Sequence, residues 1–473
     1  MRVRSPLSVL ALAALMLGGC ATLAPKYVRP PAPVPATWPH GAAYPPATAS
    51  NTTAADERWR DVFTDPKLQA VIAQALANNR DLRVAILNVE QSRAQYRIQR
   101  SELFPTVKGN ASVTELHEPA AAVGVPGAGS VDERLYSLNA SISSYELDLF
   151  GRVRSLTKAA LEQYLATDEA RRAAQITLVS ETATDYVTLA ADRERLSVAQ
   201  ATLTSQEASL KITRDRFNAG EASELDVRQA ETTVDQARSD IAADTTLAAQ
   251  DLNALNLVVG ATVSDDLLPA SLEGPAPIRA DLPAGISSAI LLKRPDVLQA
   301  EHQLKADNAD IGAARAAFFP TLSLTAQGGV ESTQLSKLFA AGSGAWQFIP
   351  NLSVPIFDFG ANRARLKSAK VQRDIAVAQY DKAIQTAFRE VADALARRGT
   401  IDAQLAAQQA NVAASDRALF LTKARYDRGI DPYLNYLIAE RALYAAQMTD
   451  IAAKQARYAN LVTLYQALGG GVQ

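Results

Sequence analysis

Four short stretches of the chain alternate apolar and polar residues with period two. Val107, Gly109, Ala111 and Val113 alternate with Lys108, Asn110, Ser112 and Thr114, and Tyr136, Leu138, Ala140 and Ile142 with Ser137, Asn139, Ser141 and Ser143. Further along, Leu322, Leu324, Ala326 and Gly328 alternate with Ser323, Thr325 and Gln327, and Trp346, Phe348, Leu352 and Val354 with Gln347, Asn351 and Ser353. Such alternation predicts strands with one apolar and one polar face, at about 106–116, 134–147, 321–330 and 345–356. Elsewhere the pattern is helical. No proline occurs between Pro126 and Pro269 or between Pro355 and Pro432, and both stretches are rich in Ala, Leu, Gln, Arg and Glu. Leu189, Leu196, Leu203, Leu210 and Phe217 are spaced by seven, as are Leu405, Val412, Leu419 and Tyr426. A sustained seven-residue row predicts supercoiled helices packed side by side. Helical hairpins are expected at about 155–257 and 364–467, the first opening with a helix from Ser155 to Phe217, about 95 Å long at about 1.5 Å per residue.

One half of the chain repeats the other. Tyr145 to Gly151 matches Val354 to Gly360 (360 − 151 = 209), Arg216 to Gly220 matches Arg425 to Gly429 (429 − 220 = 209), and Gly260 matches Gly469 at the same offset. Upstream, Glu102 to Thr106 matches Ala317 to Thr321 at 320 − 105 = 215, so a surface loop absorbs the six-residue difference. The first repeat is assigned to 65–260 and the second to 286–473, with 261–285 as a linker. Gly220 and Gly429 suit the left-handed position that ends a helix. Ser223-Glu224-Leu225-Asp226 then resembles a capping box, and Asp431-Pro432 offers a cap followed by proline at the first helical position.

The N-terminus changes the picture. Arg2 and Arg4 precede an apolar run from Leu7 to Leu17, which predicts a signal peptide over 1–19, too short to span a bilayer as a mature helix. Leu17-Gly18-Gly19-Cys20 resembles the bacterial lipobox, in which the cysteine becomes the first mature residue and carries acyl chains such as palmitate. By that resemblance Cys20 is the lipidation site and the mature chain has 473 − 19 = 454 residues. Eight prolines lie between Pro25 and Pro46, so 20–64 reads as an extended tether. The single cysteine excludes an intramolecular disulfide and a multi-thiolate zinc site, and His40, His117 and His302 do not cluster. A net charge of 48 − 50 = −2 speaks against nucleic acid as a partner.

A soluble sandwich with one wet face would show the same strand alternation. Strands of about ten residues with one apolar face also match a transmembrane β-barrel with a polar lumen. Phe104, Phe150, Phe319 and Phe359, at equivalent strand ends, would form an aromatic girdle. A membrane sheet cannot leave open edges and small barrels begin near eight strands, so a chain with four must oligomerise. A dimer would fill its barrel with side chains, whereas a trimer of about 12 strands leaves room for a channel. The loops from Glu118 to Val131 and from Glu331 to Gly344 would be extracellular and the helical tips periplasmic.

Lipobox, duplicated strand and helical hairpins, the tip sequences Arg216 to Gly220 and Arg425 to Gly429, and the ending Leu464 to Gly471 together resemble the TolC-like outer-membrane efflux family, in its OprM/NodT-type lipoprotein branch. The resemblance implies an α+β membrane protein: a homotrimeric 12-stranded transmembrane β-barrel, four strands per chain, continuing into a long periplasmic α-helical coiled-coil barrel. It further implies passive conduction of drugs or other small toxic molecules. The partners it implies are outer-membrane lipid, a periplasmic adaptor and an inner-membrane transporter of the resistance-nodulation-division class, with adaptor docking at the turns of Gly220 and Gly429. Such channels close at their periplasmic tip. By motif position Tyr426, Asp431, Leu434, Asn435, Ile438 and Arg441 fall there, with Asp226 and Arg228 on the first hairpin. Relatives carry aspartate where this chain has Asn435 or Ile438, so Leu434 and Ile438 are expected to form an apolar closure with Asp226, Asp431 and Arg441 as polar locks. A solvated helix face is the plainer account of each charge.

The chain has no G-x-x-x-x-G-K-[ST], H-E-x-x-H or G-x-S-x-G motif, and Gly124, Gly127 and Gly129 lie in a loop too irregular for a dinucleotide fingerprint. Neither catalysis nor a cofactor beyond the lipid on Cys20 is expected. Two alternatives share parts of the pattern: the outer-membrane conduit of a type I protein secretion system, and a lipid-anchored coiled-coil adaptor without a pore, which would not need the strands.

Overall fold

The computed structural model describes residues 22–44, 57–119, 130–282 and 287–471; the signal peptide, Cys20 and most of the first strand loop lie outside them. Along the chain run α1 (Trp59–Val62), α2 (Pro66–Asn78), α3 (Arg80–Ser101), β1 (Val107–Glu118), β2 (Val131–Leu147), α4 (Arg152–Asn218), α5 (Glu224–Val259), α6 (Pro295–Ala316), β3 (Thr321–Ser332), β4 (Gly344–Ser353), α7 (Ala361–Asp427) and α8 (Tyr433–Ala467). The duplication is visible in these bounds. Helices α3 and α6 have 22 residues each, 295 − 80 = 215 apart. Helices α4 and α7 have 67 each, 361 − 152 = 209 apart. Gly151, Gly220 and Gly260 take positive φ, as do Gly360, Gly429 and Gly469 one repeat later, so the chain leaves or enters a helix at equivalent left-handed positions.

The chain forms two units, one of Met1–Pro30, Val89–Ala166 and Ala300–Tyr380, the other of Pro31–Asn88, Thr167–Gln299 and Asp381–Gln473. The first unit holds an antiparallel sheet in the order β1-β2-β3-β4. Register brings like to like. Val113 lies opposite Tyr136, Leu138 opposite Val330, Ala326 opposite Phe348 and Leu322 opposite Leu352, while Ser112 faces Ser137 and Gln327 faces Gln347. One face is therefore apolar across all four strands. The other is laced by polar contacts, Asn110 Nδ2 donating to Ser141 Oγ at 2.8 Å and Gln327 Nε2 to Gln347 Oε1 at 3.1 Å. A bulge between Ile142 and Tyr145, with Ser144 at φ 55, adds one residue to β2. Parity flips there, so Tyr145 and Leu147 rejoin the apolar face opposite Leu324 and Leu322. At Gly329 a Cβ would stand 2.1 Å from Leu138 O. Phe150 and Phe319 stack at 4.6 Å, and Phe104 and Phe359 are exposed.

Small residues let helices in this unit approach closely. Ala159, Ala306 and Ala309 pack together, and a Cβ on Gly312 would collide with Ser155 Oγ at 2.6 Å and Ala24 N at 2.7 Å. The start of the expected tether is non-helical but firmly held. Tyr27 Oη and Arg29 donate to the buried Glu301, Asn308 Nδ2 donates to Pro25 O at 2.8 Å, and Arg315 Nη1 to Leu23 O at 3.0 Å. The expectation that the tether reaches residue 64 needs correction. Residues 59–62 are helical, and Trp59, Val62 and Phe63 are buried in the second unit because three apolar side chains in five residues gain more inside than along a surface.

In that second unit Phe63 meets Tyr465 edge-on at 5.2 Å, and Leu68, Ile72, Leu189, Leu255, Ile278 and Leu291 are fully buried. Arg294, 7% exposed, bonds Asp296 and Glu390 and donates through Nη1 to Ala467 O at 2.6 Å, so one guanidinium supplies a donor to the carbonyl end of α8. No helix among the described residues is long and apolar enough to cross a membrane.

Candidate functional site

Both hairpin tips belong to the second unit, and their turns are alike in backbone. At the first, Gly220 has φ 78, its N–H reaches Phe217 O at 2.9 Å, and Glu221 N–H reaches Arg216 O at 2.8 Å. At the second, Gly429 has φ 70, its N–H reaches Tyr426 O at 2.9 Å, and Ile430 N–H reaches Arg425 O at 3.0 Å. Each pair of bonds closes the last carbonyls of a long helix.

The return helices start differently. Ser223 Oγ accepts from Asp226 N–H at 3.2 Å and the Asp226 carboxylate accepts from Ser223 N–H at 3.0 Å, a complete capping box. At the second tip the expected Asp431 cap is not formed: Pro432 occupies the cap position without a side-chain bond, and α8 begins at Tyr433. The Asp431 carboxylate instead accepts from Arg425 Nε at 2.6 Å and Nη2 at 2.9 Å. A forked guanidinium offers two charge-assisted bonds where a cap offers one, and it holds the Asp431 carboxyl below its usual range.

Leu434, Ile438 and Arg441 recur at i, i+4 and i+7 of α8, so they share a face. Leu434 is 46% and Ile438 57% exposed, and Asn435 beside them is exposed too. Arg441 is also exposed and donates from Nη2 to Thr232 Oγ1 of α5 at 3.1 Å. Arg228 pairs with Glu224 and Glu231 on its own helix. Thus Asp226, Asp431, Arg228 and Arg441 all have partners within the chain, and of the residues expected at the tip Leu434, Asn435 and Ile438 present the open apolar and amide surface.

The opposite face of α8 is buried. Tyr426 stacks on Tyr436 at 5.8 Å, Tyr433 lies within 5.9 Å of both, and Arg216 sits 4.5 Å over the Tyr426 ring. Leu210, Val227, Ala230, Val234 and Leu437 complete this core, with Leu203 and Leu419 of the seven-residue rows packed against it. Glu440, 5% exposed, accepts from Ser205 Oγ and Tyr436 Oη at 3.4 Å each. Burial pushes the Glu440 carboxyl up and the Tyr436 hydroxyl up to about 12. Sequence reasoning placed Tyr426 and Arg216 at the tips without their contact, and missed Tyr433, Tyr436 and Glu440. The available signal was the stripe Tyr433, Tyr436, Leu437 and Glu440 at helical spacing, masked by a glutamate where an apolar residue belongs. Among the described residues no group of three or more His, Cys, Asp or Glu is placed to hold a metal ion.

Three comparisons bear on this geometry. A profile described as outer membrane efflux protein matches residues 71–261 and 286–470, one segment for each repeat. The chain is 47% identical to the toluene efflux pump outer membrane protein TtgC of Pseudomonas putida over 462 residues, covering 98% of this chain and 95% of that protein. It is 43% identical to the outer membrane protein OprJ of Pseudomonas aeruginosa, covering 97% and 95%. Among solved structures, the open state of the Neisseria gonorrhoeae MtrE outer membrane channel superposes with a TM-score of 0.87 at 38% identity, covering 96% of this chain and 99% of that one.

Proposed function

This chain belongs to the outer membrane efflux protein family, and from that membership we propose that three copies close a shared 12-stranded barrel and form a conduit for small toxic molecules. The protein is an outer-membrane efflux channel component and not an enzyme. The observation that carries the assembly is the sheet. Strands β1 and β4 are its two edges, all their residues are exposed in one chain, and one face is apolar from Val107 to Leu352. In lipid an open edge would leave backbone groups unpaired, and pairing β1 of one copy with β4 of the next removes both edges. Four strands from each of three chains give about 12, wide enough for a lumen lined by the polar face.

Acyl chains on Cys20 anchor each copy, and the tips at Gly220 and Gly429 meet a periplasmic adaptor that is joined to an inner-membrane transporter of the resistance-nodulation-division class. Organic solvents or antibiotics, as in the names of relatives, are the substrate class. At the tip, Leu434 and Ile438 from three copies make a constriction without charge, and the bonds of Asp431 to Arg425, Asp226 to Ser223 and Arg441 to Thr232 keep the surrounding hairpins in place. An apolar ring gates by excluding water.

The test begins with the light-scattering mass of detergent-extracted protein, corrected for bound detergent. Three chains per particle are expected, and a stable monomer would refute the shared barrel. In planar bilayers, replacing Leu434 and Ile438 by serine is expected to raise the conductance of the free channel severalfold; unchanged conductance would remove the apolar gate and leave the trimer standing.

A further inference from the structure

Both edges of the sheet lead, on the side of its helices, through exposed aromatics into rows of cations. Helix α3 ends in Arg93, Arg97 and Arg100, and α7 begins with Arg363, Lys367 and Lys370. Each trio recurs at i, i+4 and i+7, so its members share a helix face, and all six are exposed. None of the six forms a hydrogen bond or ion pair among the described residues. Residues 91–101 contain no carboxylate, and residues 361–373 carry five cations and no carboxylate. The nearest carboxylates along the chain are Glu90, Glu102 and Asp374. Of these, Glu102 already accepts from Gln99 Nε2 and Asp374 from Arg373 Nε.

The order along the chain is that of a membrane boundary. Exposed Val107 of β1 and Leu352 of β4 come first, then Phe104 at one edge and Ile356, Phe357 and Phe359 at the other, and then the cations. Hydrocarbon, interfacial aromatics and charged headgroups follow in the same order in a bilayer leaflet. A trio spans about 10 Å of helix, and a headgroup layer is roughly 5–8 Å deep. The helices that serve the inner strands lack the rows. At the 215-residue offset the α3 trio corresponds to Asn308, Gly312 and Arg315, and at the 209-residue offset the α7 trio corresponds to Arg154, Lys158 and Leu161. There Arg315 donates to Leu23 O and Arg154 to the Asp148 carboxylate. A need for helix solubility alone would have repeated the rows with the helices, yet only the helices at the sheet edges carry them.

We propose that these rows are a docking surface for anionic phospholipid of the periplasmic leaflet, whose phosphates the six cations bind. The inference rests on the shared barrel proposed above. When β1 of one copy pairs with β4 of the next, α3 and the neighbour's α7 follow the joined edges to one seam. Six cations then gather there, and like charges so placed repel unless an anion lies between them. A phosphate bridges guanidinium and ammonium groups, while the acyl chains of the same molecule cover Phe104, Phe357 and Phe359. A free phosphate ion would satisfy the cations and leave those aromatics uncovered, which favours the lipid. Arginine and lysine stems suit the place, because they lie along apolar surface while the charged end reaches the headgroup.

The probe is dioleoyl phosphatidylglycerol, offered with an equal amount of dioleoyl phosphatidylcholine to the full-length, detergent-extracted protein, and the lipid retained is read by native mass spectrometry. Saturable retention of phosphatidylglycerol in preference to phosphatidylcholine is expected, weakening as salt rises. Arg97→Gln with Arg100→Gln, and Lys367→Gln with Lys370→Gln, should each lower the preference about tenfold or more, and glutamine keeps the helices intact. Lys211→Gln, an exposed cation on α4 near the first tip, should leave the preference unchanged. Equal retention of the two lipids by the wild type, or a preference unaltered in both double variants, overturns the proposal. So does displacement by inorganic phosphate beyond that by chloride at equal ionic strength, which would assign the cations to a free anion. The light-scattering mass is read on the same samples. A monomer that keeps the preference removes the shared barrel and leaves the lipid surface standing, and a trimer without the preference does the reverse. Trimers that separate in both double variants, with no preference in the wild type, would pair the cations with carboxylates of a neighbouring copy and refute the lipid surface.

Discussion

The two helical tips are one backbone design held in two ways. At the 209-residue offset Ser223 corresponds to Pro432, Val227 to Tyr436, Arg228 to Leu437 and Glu231 to Glu440. The first tip is secured at its surface: a capping box, Arg228 bridging Glu224 and Glu231, and Arg214 on Glu231 at 2.8 Å. The second has no cap; beyond the Arg425–Asp431 pair at its surface it is secured from beneath, by three tyrosines and Leu437. The two glutamates show the difference most directly. Hydrogen bonds from Arg214 and Arg228 hold the Glu231 carboxyl below its usual range, whereas burial lifts that of Glu440. Moving most anchoring residues to the buried side leaves only Arg441, bonded to Thr232, with a structural tie on the other face of α8. That face carries Leu434 and Ile438, the proposed constriction.

The contrast is broken most strongly by cutting into the buried anchor. Leu437 is 2% exposed, and Leu437→Ala is expected to cost about 2–5 kcal/mol, read as a lower melting temperature and faster hydrogen exchange through α8. Its repeat counterpart, Arg228→Ala, should leave both readouts unchanged within error because its ion pairs are exposed. Equal effects would show that the tips are not held differently.

A smaller effect is expected at the cap. Ser223→Ala removes the oxygen that receives Asp226 N–H and should cost about 1 kcal/mol, with exchange accelerated in the first turn of α5. Pro432→Ala has no such bond to lose, and α8 should exchange as before. Faster exchange at both tips would mean that Pro432 does more than occupy the cap position.

The smallest effect is pH-dependent and opposite in sign at the two tips. Glu440 binds its proton more tightly folded than unfolded, so its contribution is full at low pH and falls as pH rises from the ordinary 4.5 through its raised value. Glu231 contributes above 4.5, and that contribution is lost as pH falls through its lowered value. Acidifying from pH 7 towards 5 should therefore slow exchange around Glu440 in the first turns of α8, corrected for intrinsic rates, and leave the first turns of α5 around Glu231 unchanged, whereas Asp251 near the far end of α5, pushed up to about 7 by burial, takes up a proton in the same window. Glu440→Gln should abolish the change in α8; persistence of the pH response in that variant would assign it to another group.

Much of this was legible in the order of residues, for reasons that are local. Period-two alternation is a property of the pleat, so β1 to β4 could be read from their own residues, whereas the bulge at Ser144 that returns Tyr145 to the apolar face was seen only in the strand register. The glycines at 220, 260, 429 and 469 announce left-handed turns because other residues pay a steric cost there, and their spacing revealed the duplication before any contact was known. What stayed hidden depends on neighbours distant along the chain. Nothing near Glu301 signals that Tyr27 and Arg29, more than 270 residues away, close over it. Nor does the dipeptide Asp431-Pro432 tell that Arg425 will claim the carboxylate first. A glutamate at 440 reads as solvated until four helices meet around it. Strand period, helix length, tip position and repeat follow from stereochemistry within a few residues. The raised proton affinity of Glu440 and the fate of each tip carboxylate follow from desolvation and pairing, which arise only once distant segments share one interior.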